Sequence, residues 1–447
     1  MNMDVATQEL IDKASALVEA AKRAGADAAD AVIIRARSCS VSVRMGKVEA
    51  TQASESDDFS LRVFVGKRMA GVSANLASQP DMLAVRAVAM ARVAPENPFE
   101  GLADAGRLAK NPRDLDLFDS FQPDSGVLTE GALATESAAL AVRGVTNSGG
   151  AEASYSIGGL VLVTSHGFCG HYMSSRFGCS CSAIAGEGTA MERDYDYSSA
   201  LHFADMEPCE TVGRRAGEQA VRRLGARQAR TGMVNVVFDP RVARGIAGHL
   251  AAMVNGASVA RKTSLLRDHL GKRILKSGVD VTDNPLRKRG ASSRPFDGEG
   301  VEGFPLDIVE DGILNNWLLS SSAARELGLE TNGHGVRSSS LVSPGCTNFA
   351  IEPGDMSAED MINNVTRGFY VTELFGHGVD LVTGQYSRGA SGFWIEDGAL
   401  TWPVSGVTLG SDLLHMFAHL TPADNLDRRY GIAAPTLLIE GMTLAGK

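Results

Sequence analysis

Between residues 31 and 74, small or apolar side chains alternate with polar ones in five runs, 31–36, 39–45, 48–54, 59–65 and 69–74, with turns as short as Gly46-Lys47 and Gly66-Lys67. Alternation with period two marks a half-buried strand, and a two-residue connection obliges a strand to pair antiparallel with its predecessor. Such a meander excludes a doubly wound sheet, which needs a helix after each strand. A second series of strands follows at 160–164, 167–174, 177–185 and 189–197, again with glycine-rich turns. Helical spacing is confined to the gaps. Leu10, Ala14, Leu17, Val18 and Ala21 share one face ahead of Gly25, and further helices are expected at 82–93, at 130–143 and across the arginine-rich stretch before residue 226. The class expected is α+β, with two domains of mainly antiparallel sheet and packed helices.

The pattern breaks at GARQARTG, residues 225–232, which divides the chain into an N-terminal α+β domain, 1–228, and a β-rich C-terminal domain with helices, 229–447. The second domain is expected to hold a pocket and a subunit-pairing surface. It opens with a strand at 233–238, then Asp239 as a helix N-cap, Pro240 at the first helical position, and a helix to about residue 254. The proline-containing connection 94–122 is long enough to serve as a mobile loop or lid.

At 447 residues, 44% of them hydrophobic and 21% charged, the chain can fill two cores. No apolar run reaches a membrane span, the amino terminus lacks signal-peptide character, and six scattered cysteines resemble reduced thiols more than a disulfide framework. These features place the protein in the cytoplasm, away from membranes. A net charge of -10 repels phosphate backbones. Arg214, Arg215, Arg222, Arg223, Arg227 and Arg230 form the one candidate nucleic-acid-binding face, without aromatic residues to stack bases. Direct nucleic-acid binding is therefore not expected.

Catalytic zinc needs three protein ligands and an open position. The chain has no H-E-x-x-H, and the residues one turn either side of His249 are Gly245 and Met253. His415 and His419 have the spacing to meet one metal but no carboxylate between them, so these three histidines are weak alternatives as ligands. Cys179-x-Cys181 lacks the knuckle spacing of a metal turn, and Ser387 and Ser391 lack a nucleophile elbow. The segment 371–398, VTELFGHGVDLVTGQYSRGASGFWIEDG, carries the remaining signal. Apolar and β-branched residues separate its glycines, so it reads as short strands with tight turns and close backbone approaches. His377, Tyr386, Arg388 and Ser391 are its pocket candidates for an extended peptide, with Asn315, Asn316 and Trp317 on another hairpin. A purely structural core of turns has the same spacing.

Four stretches resemble the TldD/PmbA family, and within it the PmbA (TldE) branch: the segment just quoted, GCTNFAIEPGD at 345–355, MERDYDYSSA at 191–200 and GHLAAMVNGASVARKTSLLRDHLGKRI at 248–274. The resemblance covers nearly the whole chain. It implies a subunit of a heteromeric bacterial zinc metallopeptidase that processes small or unfolded peptides, paired with a TldD-like catalytic subunit whose helix carries zinc-binding H-E-x-x-x-H and a distant cysteine ligand. Counted back from Arg261-Lys262, the matching place here reads Gly248, His249, Leu250, Ala251, Ala252, Met253, and no cysteine follows Cys346. The resemblance thus implies no catalytic or metal residue in this chain and zinc in the TldD-like partner. It leaves open an autonomous metallopeptidase, or a non-enzymatic peptide-binding homodimer. The family's older description as a modulator of DNA gyrase has no support in this acidic chain.

Overall fold

The computed structural model describes residues 3–76 and 78–447, with side chains from Thr7 onward. Helix α1 (Met3–Arg23) leads into strands β1 (Ala28–Arg44), β2 (Lys47–Val65) and β3 (Arg68–Asn75), followed by helices α2 (Pro80–Val93) and α3 (Ser125–Leu140). Strands β4 (Val145–Thr164), β5 (Cys169–Ala185) and β6 (Glu192–Ala200) come next, and helix α4 (Cys209–Arg222) closes this half. The strands form one sheet in the order β3-β2-β1-β4-β5-β6, antiparallel throughout. Several runs expected as separate strands are continuous. Residues 31–36 and 39–45 belong to β1, and 48–54 and 59–65 to β2, in unbroken register from Ala28↔Phe64 to Ser42↔Ala50. The polar stretch at 37–40 interrupts burial in β1 without interrupting pairing, whereas β2 is largely exposed from Lys47 to Asp58 and buried from Phe59 to Phe64. Residues 37–40 of β1 cross the exposed middle of the sheet between two cores, one under α1 and α2 (Leu17, Ile33, Leu61, Val88), the other under α3 and α4 (Val41, Tyr155, Phe177, Ala216).

In the second half, β7 (Gly232–Phe238) stops at Asp239, whose carboxylate accepts a hydrogen bond from the Arg241 amide at 2.9 Å, and Pro240 opens α5 (Pro240–Met253). The chain continues through α6 (Gly256–Ala260), β8 (Val281–Asp283), β9 (Leu306–Glu310), β10 (Ile313–Leu314), α7 (Ser321–Leu327), the hairpin β11 (Gly335–Ser338) and β12 (Leu341–Pro344), β13 (Phe349–Ile351) and α8 (Ala358–Asn363). It ends with β14 (Arg367–Val379), β15 (Gln385–Glu396), β16 (Ala399–Asp412), α9 (Leu413–Ala418), β17 (Leu420–Pro422), β18 (Ile432–Ala433) and β19 (Leu437–Ala445). One sheet runs β16-β15-β14-β7-β19-β17 and another β10-β9-β8-β13-β18, antiparallel except for the pairs β7/β14 and β13/β18. A parallel pair needs a long crossover, and between β7 and β14 the crossover contains α5 and most of the other sheet. One core, with Phe238, Ile246, Leu250, Phe349, Phe369 and Leu437, holds these layers together.

Charge pairs stitch the halves. Asp30, fully buried, meets Arg62 at 2.6 Å and Arg337 of β11 at 2.9 Å. Burial pushes its carboxyl up, but Arg337 and Arg62 outweigh burial and hold it below the usual range. The connection 94–122, expected as a lid, is strapped down. Arg325 donates to the carbonyls of Phe99 at 3.2 Å and Gly101 at 3.3 Å, and Leu102, Leu115 and Leu117 are buried. Of the basic stretch, Arg223 is buried and Arg215 half-buried, while Arg214, Arg222, Arg227 and Arg230 stay exposed. Arg215 pairs with Asp196 and Glu207, Arg223 with Glu373, and Arg222 and Arg227 lie over the rings of Phe393 and Trp402. Among the described residues no helix is long and apolar enough to cross a membrane.

Candidate functional site

A cavity of about 250 Å³ opens where α5, β14 and β15 of the second half meet β6 of the first. On α5, positions four apart stack along one face, so Arg241, Gly245 and His249 line the cavity with Val242 and Ile246 beside them. Gly245 offers no side chain to fill the space. On β15, Tyr386 and Arg388 are two residues apart and share a face of the strand. Glu373 and Leu374 of β14 form another wall, and Tyr195 of β6 closes the cavity from the first half. The Tyr370 hydroxyl donates to Asp239 at 2.7 Å, tying the capped start of α5 to β14.

Most of the charge here is already spent. Arg241 donates to Asp194 at 3.0 Å and to the Tyr195 carbonyl at 2.9 Å, and Glu373 meets Arg223 at 2.7 Å and Arg193 at 3.6 Å. Arg388 differs. Its Nε donates to the Phe375 carbonyl at 3.2 Å, and among the described residues no carboxylate lies within ion-pair distance. Tyr386 is 2% exposed, its ring stands edge-on to His249 with centroids 6.3 Å apart, and its buried hydroxyl has no hydrogen-bond partner among the described residues. Burial pushes the phenol's pKa up against the opposing pull of Arg388. A buried polar group left unpaired costs roughly 1–3 kcal/mol. Burial also pushes the His249 imidazole down, and the neighbouring Arg388 charge adds to the effect. The lining is therefore a neutral imidazole, an idle phenol and one uncompensated cation.

The cavity gathers Tyr386, Arg388 and His249 from the residues singled out in the sequence, and leaves the others outside. His377 is exposed at a β-bulge between Phe375 and Gly378, and Ser391 is buried, out of phase with Tyr386 and Arg388. His415 and His419 stack at 4.1 Å, with His415 Nε2 against the Glu440 carbonyl at 3.1 Å and His419 Nδ1 against the His415 carbonyl at 2.9 Å. Trp317 is buried in the main core. Tyr195, Arg241 and Glu373 were not singled out, although Tyr195 lies in MERDYDYSSA and Arg241 directly follows the helix cap. Larger clefts of about 430 and 470 Å³ lie over the middle of the first sheet, lined by serines such as Ser38, Ser54, Ser156 and Ser180.

A metal does not fit the lining. Among the described residues no group of three or more histidine, cysteine or acidic side chains is placed to hold an ion. The acid in the cavity, Glu373, is engaged by two arginines, and the Arg388 charge repels a cation next to His249.

Three family models match successive parts of the chain: PmbA/TldA metallopeptidase domain 1 over 29–91, the central domain over 119–224 and the C-terminal domain over 231–446. The metalloprotease PmbA homolog of Haemophilus influenzae is 35% identical over 446 residues, 98% of this chain and 96% of that one. A crystal structure of a candidate modulator of DNA gyrase from Bacteroides thetaiotaomicron matches with a TM-score of 0.88 and 25% identity, covering 98% of each chain. TldE from Thermococcus kodakarensis shares the fold, with a TM-score of 0.86 and 18% identity over 97% of this chain and 100% of that one.

Proposed function

The chain belongs to the PmbA/TldD metallopeptidase family, and on that premise we propose that it is a PmbA/TldE-like subunit that shapes a two-chain zinc peptidase without performing its chemistry. In this reading a TldD-like partner supplies the zinc, the substrates are extended or unfolded peptides, and the complex works in the cytoplasm. The division at 228/229 separates a first domain that flanks the peptide path from a second that carries the pocket and the pairing surface. The observation that carries the reading is the make-up of α5. Where the resemblance places the two histidines of H-E-x-x-x-H, α5 carries Gly248 and Met253, which offer zinc no imidazole, and His249 between them lies beside the Arg388 guanidinium, which repels a cation. Tyr386 and Arg388 are left as groups that touch peptide. His377, exposed on the same hairpin, is a candidate for contact outside the cavity.

The test is co-purification with a TldD-like chain, followed by metal analysis and peptide cleavage by each chain alone and by the mixture. Cleavage confined to the mixture, with zinc following the partner, supports the proposal. Stoichiometric zinc and chelator-sensitive cleavage in this chain alone would establish an autonomous metallopeptidase instead. Equal cleavage by the TldD-like chain with and without this one would remove the shaping role.

A further inference from the structure

The cavity on α5 combines three features that together specify a ligand. The first is a guanidinium with spare capacity: Arg388 uses Nε on a backbone carbonyl, and among the described residues no acceptor bonds its Nη atoms. Two parallel N–H groups of a guanidinium match the two oxygens of a carboxylate. The second is the buried, unpartnered hydroxyl of Tyr386, two positions along the same strand face. The third is an apolar wall formed by Val242, Ile246 and Leu374. Glu373 lines the same space and disfavours a doubly charged anion. At about 250 Å³ the cavity falls below the roughly 300–1,000 Å³ of drug-sized sites.

We propose that this cavity receives the free α-carboxylate of a peptide, with Arg388 forming a forked pair of hydrogen bonds to it, Tyr386 donating another, and the terminal side chain lying against Val242, Ile246 and Leu374. The proposal rests on the reading of the chain as a peptide-handling subunit and adds a polarity to it: the peptide is held by its carboxyl end. His249 packs edge-on against the Tyr386 ring and acts as a positioning residue for the phenol.

Calorimetric titration of the full chain, alone and in complex with a TldD-like chain, tests it with an N-acetylated peptide ending in leucine as the free acid, the same peptide amidated, and an amidated version with an internal glutamate. The free acid should bind at least about tenfold more tightly than either amide. Arg388→Gln should bring the free acid down to the level of the amide, and Arg388→Lys, which keeps the charge and loses the fork, should fall between them. Equal affinity for acid and amide overturns the proposal and leaves the peptide-handling reading intact. Equal affinity for the free acid and the internal-glutamate amide overturns the assignment to chain ends. If no peptide binds in either setting, both fall. Should Arg388→Gln disturb folding, the comparison of acid with amide on the unaltered chain still decides.

Discussion

Tyr386 carries a cost in the free chain that a ligand would remove. Its hydroxyl is buried without a partner, so Tyr386→Phe deletes an unpaired polar group while keeping the ring against His249. The expected outcome is a chain stabilised by on the order of 1 kcal/mol in thermal or urea melts, with weaker binding of carboxylate-ended peptides. A loss of stability in Tyr386→Phe would mean that the hydroxyl already has a partner. His249 offers a second reading of the same environment. Its folded-state pKa lies below the unfolded value, because burial and then Arg388 disfavour the charged ring. The unfolded chain therefore takes up the proton first, and the histidine's contribution to stability declines as pH falls through about 6.5 toward the lower folded value. Arg388→Gln removes one of the two causes. In a proton NMR titration the His249 ring should then titrate at higher pH than in the unaltered chain, while remaining depressed by burial. An unchanged titration would separate Arg388 from the cavity.

At the scale of elements, the β14–β15 hairpin shows why glycine is frequent in 371–398. A Cβ on Gly392 would stand 1.9 Å from the Tyr370 carbonyl oxygen, in backbone that cannot move without parting the strands. Gly376, by contrast, has open space around it and a φ of +83°. Gly392→Ala should cost more than about 2 kcal/mol by urea unfolding and disturb the cavity wall. Gly376→Ala should cost roughly 1–2 kcal/mol of left-handed backbone strain and leave the cavity intact. Close backbone approach in this hairpin was legible in the sequence, because separated glycines among β-branched and aromatic residues have few other uses. The lengths of β1 and β2 were not. The polar run Ser54–Asp58 imitates a turn in composition, but it lies within a strand that is largely exposed from Lys47 to Asp58 and buried only from Phe59 to Phe64, under α1 and α2. Of the cavity lining, Tyr386 and Arg388 stood among the pocket candidates of the glycine-rich segment together with His377 and Ser391, which the fold places outside the cavity. Tyr195 was not legible, because it reaches α5 only through the packing of one half on the other, a contact that no local pattern encodes.

For the whole molecule, the cavity lies on a seam held by ion pairs, so the integrity of the site depends on how the halves stay docked. One pair reports on the seam from outside the cavity. Glu207, just before α4, accepts from Arg215 at 2.9 and 3.0 Å and from Arg429 of the second half at 2.5 Å. The Arg215 hydrogen bonds, followed against burial by those from Arg429, hold its carboxyl down at about 2. A carboxylate depressed in the folded state adds stability that is present above its unfolded value, about 4.3, and is lost as pH falls through the folded value. Glu207→Gln should therefore melt below the unaltered chain at neutral pH, and the two curves should converge as pH drops from about 4.5 toward 2. Arg429 is 39% exposed, so solvent screening holds the neutral-pH difference to on the order of 1 kcal/mol. Arg429→Gln should show the same convergence with a smaller offset, since Arg215 still engages the carboxylate. If both variants instead run parallel to the unaltered chain across this range, the seam is held by its buried core and the Asp30–Arg62–Arg337 cluster, and the Glu207 pairing contributes no pH-dependent stability.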